Sequence, residues 1–238
     1  MQQTMVVSGN VVAITGIDTG VGKTVATGLL ARALMRGGVR VMTQKLVETG
    51  ASGISLDILR HRQIMGIVPQ DEDRDGTTCP YVFGYPASPH LAAAREERRI
   101  DPGVIRSATR RLCGMYDLVL LEGAGGLLVP LDGETLIADY LRTLGCPVVL
   151  VSGPRLGSIN HTLLSIETCL ARGLRLGGVL YNRYGSSDAV MAEDTREVIL
   201  RHLRACGCQC PLVDLPDLAG GGGLSYEEAC ALTGRRPV

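Results

Sequence analysis

A glycine-rich stretch, Gly16-Ile17-Asp18-Thr19-Gly20-Val21-Gly22-Lys23-Thr24, separates two runs of different periodicity. Before it, Val11-Val12-Ala13-Ile14-Thr15 is short and mostly apolar, the pattern of a buried parallel strand. After it, residues 25–35 read as a helix that stops at Gly37-Gly38. A strand, a glycine-rich turn closing on Gly-Lys-Thr, and a helix form the setting of a phosphate-binding loop. Its backbone N–H groups and the positive helix end hold phosphates. Lys23 is expected at the terminal phosphates and the Thr24 hydroxyl at Mg2+, so the implied ligand is a nucleoside triphosphate. Five residues separate Gly16 from Gly22, one more than the usual signature allows.

The remainder repeats the alternation of apolar strand and helix. Residues 39–44 read as a strand that delivers Lys45 to its C-terminal end, the edge where open α/β sheets bind ligands. Residues 55–65 read as a helix with Ser55 as cap, and 69–89, rich in proline, glycine and acids, as mostly loop. Ser88-Pro89 and Asp101-Pro102 each start a helix by the same device, a capping residue followed by proline. Leu118-Val119-Leu120-Leu121 is a strand ending at Glu122-Gly123-Ala124-Gly125-Gly126. Helix 135–144, strand 147–151, helix 158–172, strand 176–182 and helix 188–205 follow, then a short strand near Leu212 and a weak helix from Ser225. Strands apolar throughout imply a mainly parallel sheet covered on both faces. The expected architecture is a single α/β domain over residues 1–238 of the P-loop NTPase type, with residues 220–238 a flexible hinge and weakly defined tail.

Composition narrows the function classes. A formal net charge of zero, with no long basic run, gives no electrostatic support for a nucleic-acid or membrane-surface partner. No apolar run reaches the ~18 residues of a spanning helix, and the N-terminus lacks a secretory pattern, so the cytoplasm is the expected compartment. Eight cysteines are many, but Cys113, Cys146, Cys169 and Cys230 lie in apolar segments, as buried free thiols do. Cys206-Gly207-Cys208-Gln209-Cys210 fits no common zinc spacing, and only His202 lies near it. Metal binding is not the expected reading there.

Several residues carry chemistry by type and place. Glu122, at a strand end in a P-loop protein, is where a carboxylate ligand for Mg2+ is expected. Gly123, Ala124 and Gly125 after it let the backbone approach phosphate or substrate closely. Asp57 is the only acid between Glu48 and Asp71 and, taken alone, reads as a helix-face residue rather than a ligand. Lys45 at the ligand edge can hold an anion as a compact point charge. His90 and His161, just inside helix starts, read as structural.

Together these residues resemble the dethiobiotin synthetase family. The likeness runs from about Val11 to Leu218 and rests on five motifs in order. The first is the Gly16–Thr24 loop with its five-residue spacing. The others are Lys45-Leu46-Val47-Glu48-Thr49-Gly50, Ala87-Ser88-Pro89-His90-Leu91-Ala92, Glu122-Gly123-Ala124-Gly125-Gly126-Leu127 and Leu156-Gly157-Ser158-Ile159-Asn160-His161. The resemblance implies ATP held at Gly20, Val21, Gly22, Lys23, Thr24 and Val25, and Mg2+ among Thr24, Asp57 and Glu122. It implies Lys45 as the active-site lysine, Thr49 as a substrate contact, and Asn182, Arg183, Pro216, Asp217 and Leu218 at adenine. It also implies a homodimer, with the carboxylate of diaminopelargonic acid bound at the helix start carrying Ser158 and Asn160. The implied reaction joins CO2 to 7,8-diaminopelargonic acid and closes a ureido ring at the expense of ATP. Two positions depart from the family pattern: Leu46 stands where proline usually follows the lysine, and the family's tyrosine after the adenine strand has no clear counterpart, Tyr184 being nearby. Other P-loop proteins frame the choice. Partition-type switch ATPases carry a second lysine where this chain has Ile17 and Asp18, and amidoligases acting on corrin precursors usually carry a further domain.

Overall fold

Strands and helices alternate along the chain in a computed structural model that describes residues 10–184, 188–216 and 222–237. In order they are β1 (Val11–Gly16), α1 (Lys23–Arg36), β2 (Val41–Lys45), β3 (Glu48–Thr49), α2 (Leu56–Met65), α3 (Asp71–Arg74), β4 (Val82–Phe83) and α4 (Pro89–Arg95). Then come α5 (Pro102–Cys113), β5 (Leu118–Gly126), α6 (Ile137–Leu144), β6 (Val148–Ser152), α7 (Ser158–Ala171), β7 (Leu176–Asn182), α8 (Ala189–Ala205), β8 (Leu212–Leu215) and α9 (Tyr226–Thr233). Among the described residues, six strands pair in the order β2-β5-β1-β6-β7-β8, every pairing parallel.

The strands are apolar without alternation because both faces are covered. In β1, Val11 and Ala13 join one core cluster with residues of α5 and α6, while Val12 and Ile14 join another with α1, α2 and α9. In β5, Val119 and Leu121 face the first cluster and Leu118 and Leu120 the second. Period-2 side chains on a doubly covered sheet leave no polar face. The expected α/β architecture is the observed one.

The differences from expectation are local. The strand expected to end before Glu122 runs on through the glycines to Gly126, paired with β1 across a register shift between Ile14 and Gly16. Ser88 occupies the N-cap of α4 but its side chain makes no cap bond, whereas Ser55 and Asp101 accept from Ile58 N–H and Gly103 N–H. The stretch 69–89 contains α3 and β4, and β4 pairs with β3 in a small parallel sheet. The C-terminal segment forms α9, with Ala229, Cys230 and Leu232 fully buried. Of the hinge glycines, Gly220 and Gly221 lie outside the described residues, and the carbonyl of Gly222 accepts from the Arg32 guanidinium at 2.8 Å. The C-terminal ends of β1, β2 and β5, joined by β3 and the start of α2, enclose the functional cavity.

Candidate active site

The glycine-rich loop is shaped by positions that only glycine tolerates. Gly22, the N-cap of α1, has φ 102°, and a Cβ there would collide with the Asn182 side-chain amide. That amide donates to the carbonyl of Val21 at 2.9 Å, so the end of β7 braces the loop. Lys23 donates to the carbonyl of Asp18 at 2.8 Å, folding back across the loop's mouth. Burial, with the Lys45 cation nearby, pushes the Lys23 ammonium down to about 8. Anionic phosphate would reverse both effects. Asp18 pairs with Arg155 and accepts from Thr19 N–H at 2.7 Å, so an acid occupies the part of the loop where switch ATPases carry their second lysine.

The centre of the site is an ammonium among oxygens. Lys45 ends β2, and its Nζ lies 2.5 Å from Asp57 Oδ2, 2.7 Å from Glu122 Oε1 and 3.2 Å from the Gly123 carbonyl. The Thr24 hydroxyl donates to Asp57 Oδ1 at 2.8 Å and stands 3.3 Å from Glu122 Oε1. Burial works against the Lys45 charge, but the Glu122 and Asp57 carboxylates outweigh it and raise the ammonium's pKa above its ordinary value. Burial likewise opposes ionised Glu122, yet Lys45 and His61 hold its carboxyl well below the usual carboxylate range. Both groups are therefore charged at neutral pH.

Sequence reading missed the residues that hold this centre in place. His61 Nε2 lies 2.7 Å from Glu122 Oε2, and Nδ1 lies 3.1 Å from the Thr43 hydroxyl, which accepts from Arg62 at 2.7 Å. A donor order Arg62 to Thr43 to His61 to Glu122 satisfies each group and sets the Nε2–H tautomer. The available signal was the spacing Asp57–His61, four apart on one helix and so on one face. Glu48 is the other omission. Its Oε2 accepts from Ser55 Oγ at 2.5 Å and Asp57 N–H at 3.2 Å, anchoring the start of α2 and with it Asp57.

These groups open into a cavity of about 740 Å³. Its lining includes Gly20, Gly22, Lys23, Thr24, Val25, Lys45, Thr49, Asp57, Glu122, Ala124 and Gly125, together with Ser88 and Pro89. Gly123 reaches the site through its carbonyl, which accepts from Lys45, whereas Val21 lies outside the lining with its carbonyl turned to Asn182. Other expected residues lie outside this lining. Ser158 is buried at the start of α7 and Asn160 is exposed beside it. Arg183 pairs with Glu193 at 3.4 Å, and Pro216 follows β8. Asp217 and Leu218 lie outside the described residues. A second cavity, of about 820 Å³, is bounded by His90, Arg98, Arg99 and Glu134 and takes only His90 from the motifs. The chemistry lies in the smaller one, where the charged motif residues converge.

Leu46 has a structural consequence. Its N–H donates to the Glu122 carbonyl at 2.9 Å, extending the β2–β5 pairing one residue past Lys45. Proline has no N–H and could not make this bond.

The oxygens suit a hard divalent cation. Neighbouring ligands of octahedral Mg2+, at ~2.0–2.1 Å from the metal, stand about 2.9 Å apart. Thr24 Oγ1 lies 2.8 Å and 3.3 Å from the acceptor oxygens of Asp57 and Glu122. A hydroxyl and two carboxylates already clustered this closely fit the ion in donor type and spacing.

Comparison with known proteins bears on the family and the fold. Residues 10–207 match the family model described as AAA domain. The chain is 56% identical to the ATP-dependent dethiobiotin synthetase BioD of Chlorobaculum tepidum, over 95% of this chain and 93% of that protein. It is 51% identical to ATP-dependent dethiobiotin synthetase BioD 2 of Haemophilus influenzae, over 78% of this chain and 97% of the relative. Among solved structures, a ParA family ATPase from Chlorobium tepidum superposes with a TM-score of 0.51 at 14% identity, covering 96% of this chain and 93% of that one. At that identity the likeness concerns the fold alone.

Proposed function

The chain belongs to the ATP-dependent dethiobiotin synthetase family and is an ATP-dependent ligase of biotin biosynthesis, and on that footing we propose how its residues conduct the reaction. An amine of 7,8-diaminopelargonic acid adds to CO2 and loses a proton, giving a carbamate. A carbamate oxygen attacks the γ-phosphorus of ATP, and ADP leaves. The second amine then attacks the carbonyl carbon of the mixed anhydride, closing the ureido ring and releasing phosphate.

The residues act by position and charge. Gly20 to Val25 carry the phosphates, with Lys23 at their terminal end. Thr24, Asp57 and Glu122 would hold Mg2+, which when bound neutralises charge on the phosphates. Lys45, kept protonated by its two acids, stabilises negative charge shared between carbamate and transferring phosphoryl group. Thr49 contacts the diamine. Adenine lies toward Asn182, Arg183, Pro216, Asp217 and Leu218. The observation that carries this reading is the convergence of Lys23, Lys45, Thr49 and the acids on one cavity.

We further infer a homodimer. Ser158 and Asn160 lie outside the cavity of their own chain, while Leu156 and Leu164 beside them are 91% and 57% exposed. A second copy would cover these leucines and receive the helix start as an anion site for the substrate carboxylate. Among the described residues no helix is long and apolar enough to cross a membrane, and all eight cysteines are free. A reducing cytoplasm suits both features.

The test is ADP release measured with and without diaminopelargonic acid and bicarbonate. Release that requires both is expected, with dethiobiotin formed in equal amount; release that ignores both would return the chain to the switch-ATPase reading. Light scattering should give the mass of two chains at micromolar concentration, and full activity at the mass of one would overturn the shared site.

A further inference from the structure

Away from the ATP cavity, α7 and α8 bring three unlike donor atoms together. His202 Nε2 lies 3.0 Å from Glu167 Oε1. Cys206 Sγ lies 3.5 Å from the same His202 nitrogen and 3.6 Å from the same Glu167 oxygen. His202 and Cys206 are four apart and share a face at the end of α8, and Glu167 reaches them from α7. Glu167 is nine residues beyond Ser158, about 13.5 Å along a helix at ~1.5 Å per residue, which separates the group from the start of α7.

The triangle has the dimensions of one face of a tetrahedral zinc site. With Zn–S ~2.3 Å, Zn–N ~2.0–2.1 Å and Zn–O ~2.0–2.2 Å, tetrahedral angles set the S···N and S···O edges at about 3.6 Å and the N···O edge at about 3.4 Å. The two sulfur edges match, and the third is shorter by a few tenths of an ångström, within reach of a partly exposed glutamate's torsions. Thiolate, imidazole and carboxylate together favour a borderline-soft cation over Mg2+. We propose that Glu167, His202 and Cys206 bind one divalent cation of the Zn2+ type, clamping α7 to α8. Binding would release the Cys206 thiol proton to solvent and use the Nε2 lone pair of His202, whose proton then resides on Nδ1. The fourth position is left to water.

The site was not visible in the spacing of Cys206, Cys208 and Cys210 because its third donor lies on a different helix. Its expected role is structural: the clamp joins the helix that starts at Ser158 to the one that follows β7.

The experiment uses the full chain, stripped with a chelator and titrated with Co2+ in millimolar Mg2+ without ATP. Thiolate-to-Co2+ charge-transfer absorption excludes metal bound in the ATP cavity, whose lining residues include no cysteine, and the variants then locate the thiolate. One equivalent is expected to bind, to be displaced by Zn2+, and to raise the melting temperature. Cys206→Ser should abolish the band, and His202→Ala and Glu167→Gln should weaken binding by at least the ~10–100-fold that loss of an outer-shell partner costs. Circular dichroism and unchanged ATP-dependent turnover of the variants would show an intact fold. Absence of the band in the wild type would overturn the proposal, as would its persistence at full affinity in His202→Ala or Cys206→Ser. A band lost in Cys208→Ser but kept in His202→Ala would also overturn it, moving the metal to the cysteine pair.

Discussion

Lys45 and Glu122 are directly opposed in the parallel register of β2 and β5, and the lysine ammonium lies 2.7 Å from the glutamate oxygen inside the sheet's ligand edge. Two buried charges on adjacent strands can coexist only as a pair. The pair sets a protonated lysine beside an ionised glutamate at the edge where we propose that phosphates and Mg2+ bind.

Lys45→Gln keeps length and hydrogen bonding but loses the charge. ATP–Mg2+ affinity is expected to stay within a few-fold, while kcat for dethiobiotin formation falls ~10²–10³, the scale of one preorganised electrostatic contact. The apparent KM for diaminopelargonic acid should rise. Removing the cation also leaves Glu122 and Asp57 facing each other, so stability should drop by about 3–5 kcal/mol without Mg2+ and recover in part when Mg2+ is added. Calorimetry, ADP release and melting on one preparation test all three; a wild-type rate would reduce Lys45 to a structural cation.

Lys23 is a buried cation that donates to the carbonyl of Asp18. Replacing it with alanine removes a desolvated charge, so the fold should survive. Turnover should be lost, because contact between a desolvated cation and phosphate is worth roughly 2–5 kcal/mol. Near-normal ATP turnover by folded Lys23→Ala would refute the loop's assignment.

His61 is a positioning residue acting through Glu122. In His61→Ala, Glu122 Oε2 and the Thr43 hydroxyl each lose a buried partner, at about 1–3 kcal/mol apiece. Beyond that loss, the Mg2+ concentration giving half-maximal turnover at saturating ATP should rise about ten- to hundredfold, the usual cost of removing an outer-shell partner. His61→Gln, which can still donate to Glu122, should restore part of it. A lowered melting temperature with unchanged Mg2+ dependence would limit His61 to stability.

The buried pair Arg62–Asp73, joined at 2.9 Å and 2.7 Å, makes a pH prediction. Burial alone would raise the Asp73 pKa, but Arg62 and the N–H of Gln70 outweigh it and hold it below the ordinary value. A carboxyl depressed in the folded state contributes stability above its unfolded pKa of about 3.9 and loses it as pH falls through the folded value. Asp73→Asn should therefore cost about 3–5 kcal/mol at pH 7, where Arg62 is left buried and unpaired. The gap to wild type should narrow as pH falls below about 4. Urea unfolding across that range decides it, and a gap that stays constant would contradict the account.

Local spacing made the phosphate loop, the alternation of strands and helices and the ligand edge legible, because a P-loop is a continuous backbone structure and a doubly covered sheet imposes apolar strands. Lys45 and Glu122 were each readable as strand-end charges. Their contact was not, since it depends on β2 pairing with β5 across 76 intervening residues. The same limit hid His61, whose partners Thr43 and Glu122 come from two different strands, and the Asn182 brace, which joins β7 to a loop 161 positions earlier. The Glu167–His202–Cys206 triangle was hidden likewise, its donors coming from two helices. Sequence by itself determined which backbone segments could form and which residue types stood at their ends. Only tertiary structure decided which charges share one low-dielectric space, because those energies depend on through-space distance and burial rather than on position along the chain.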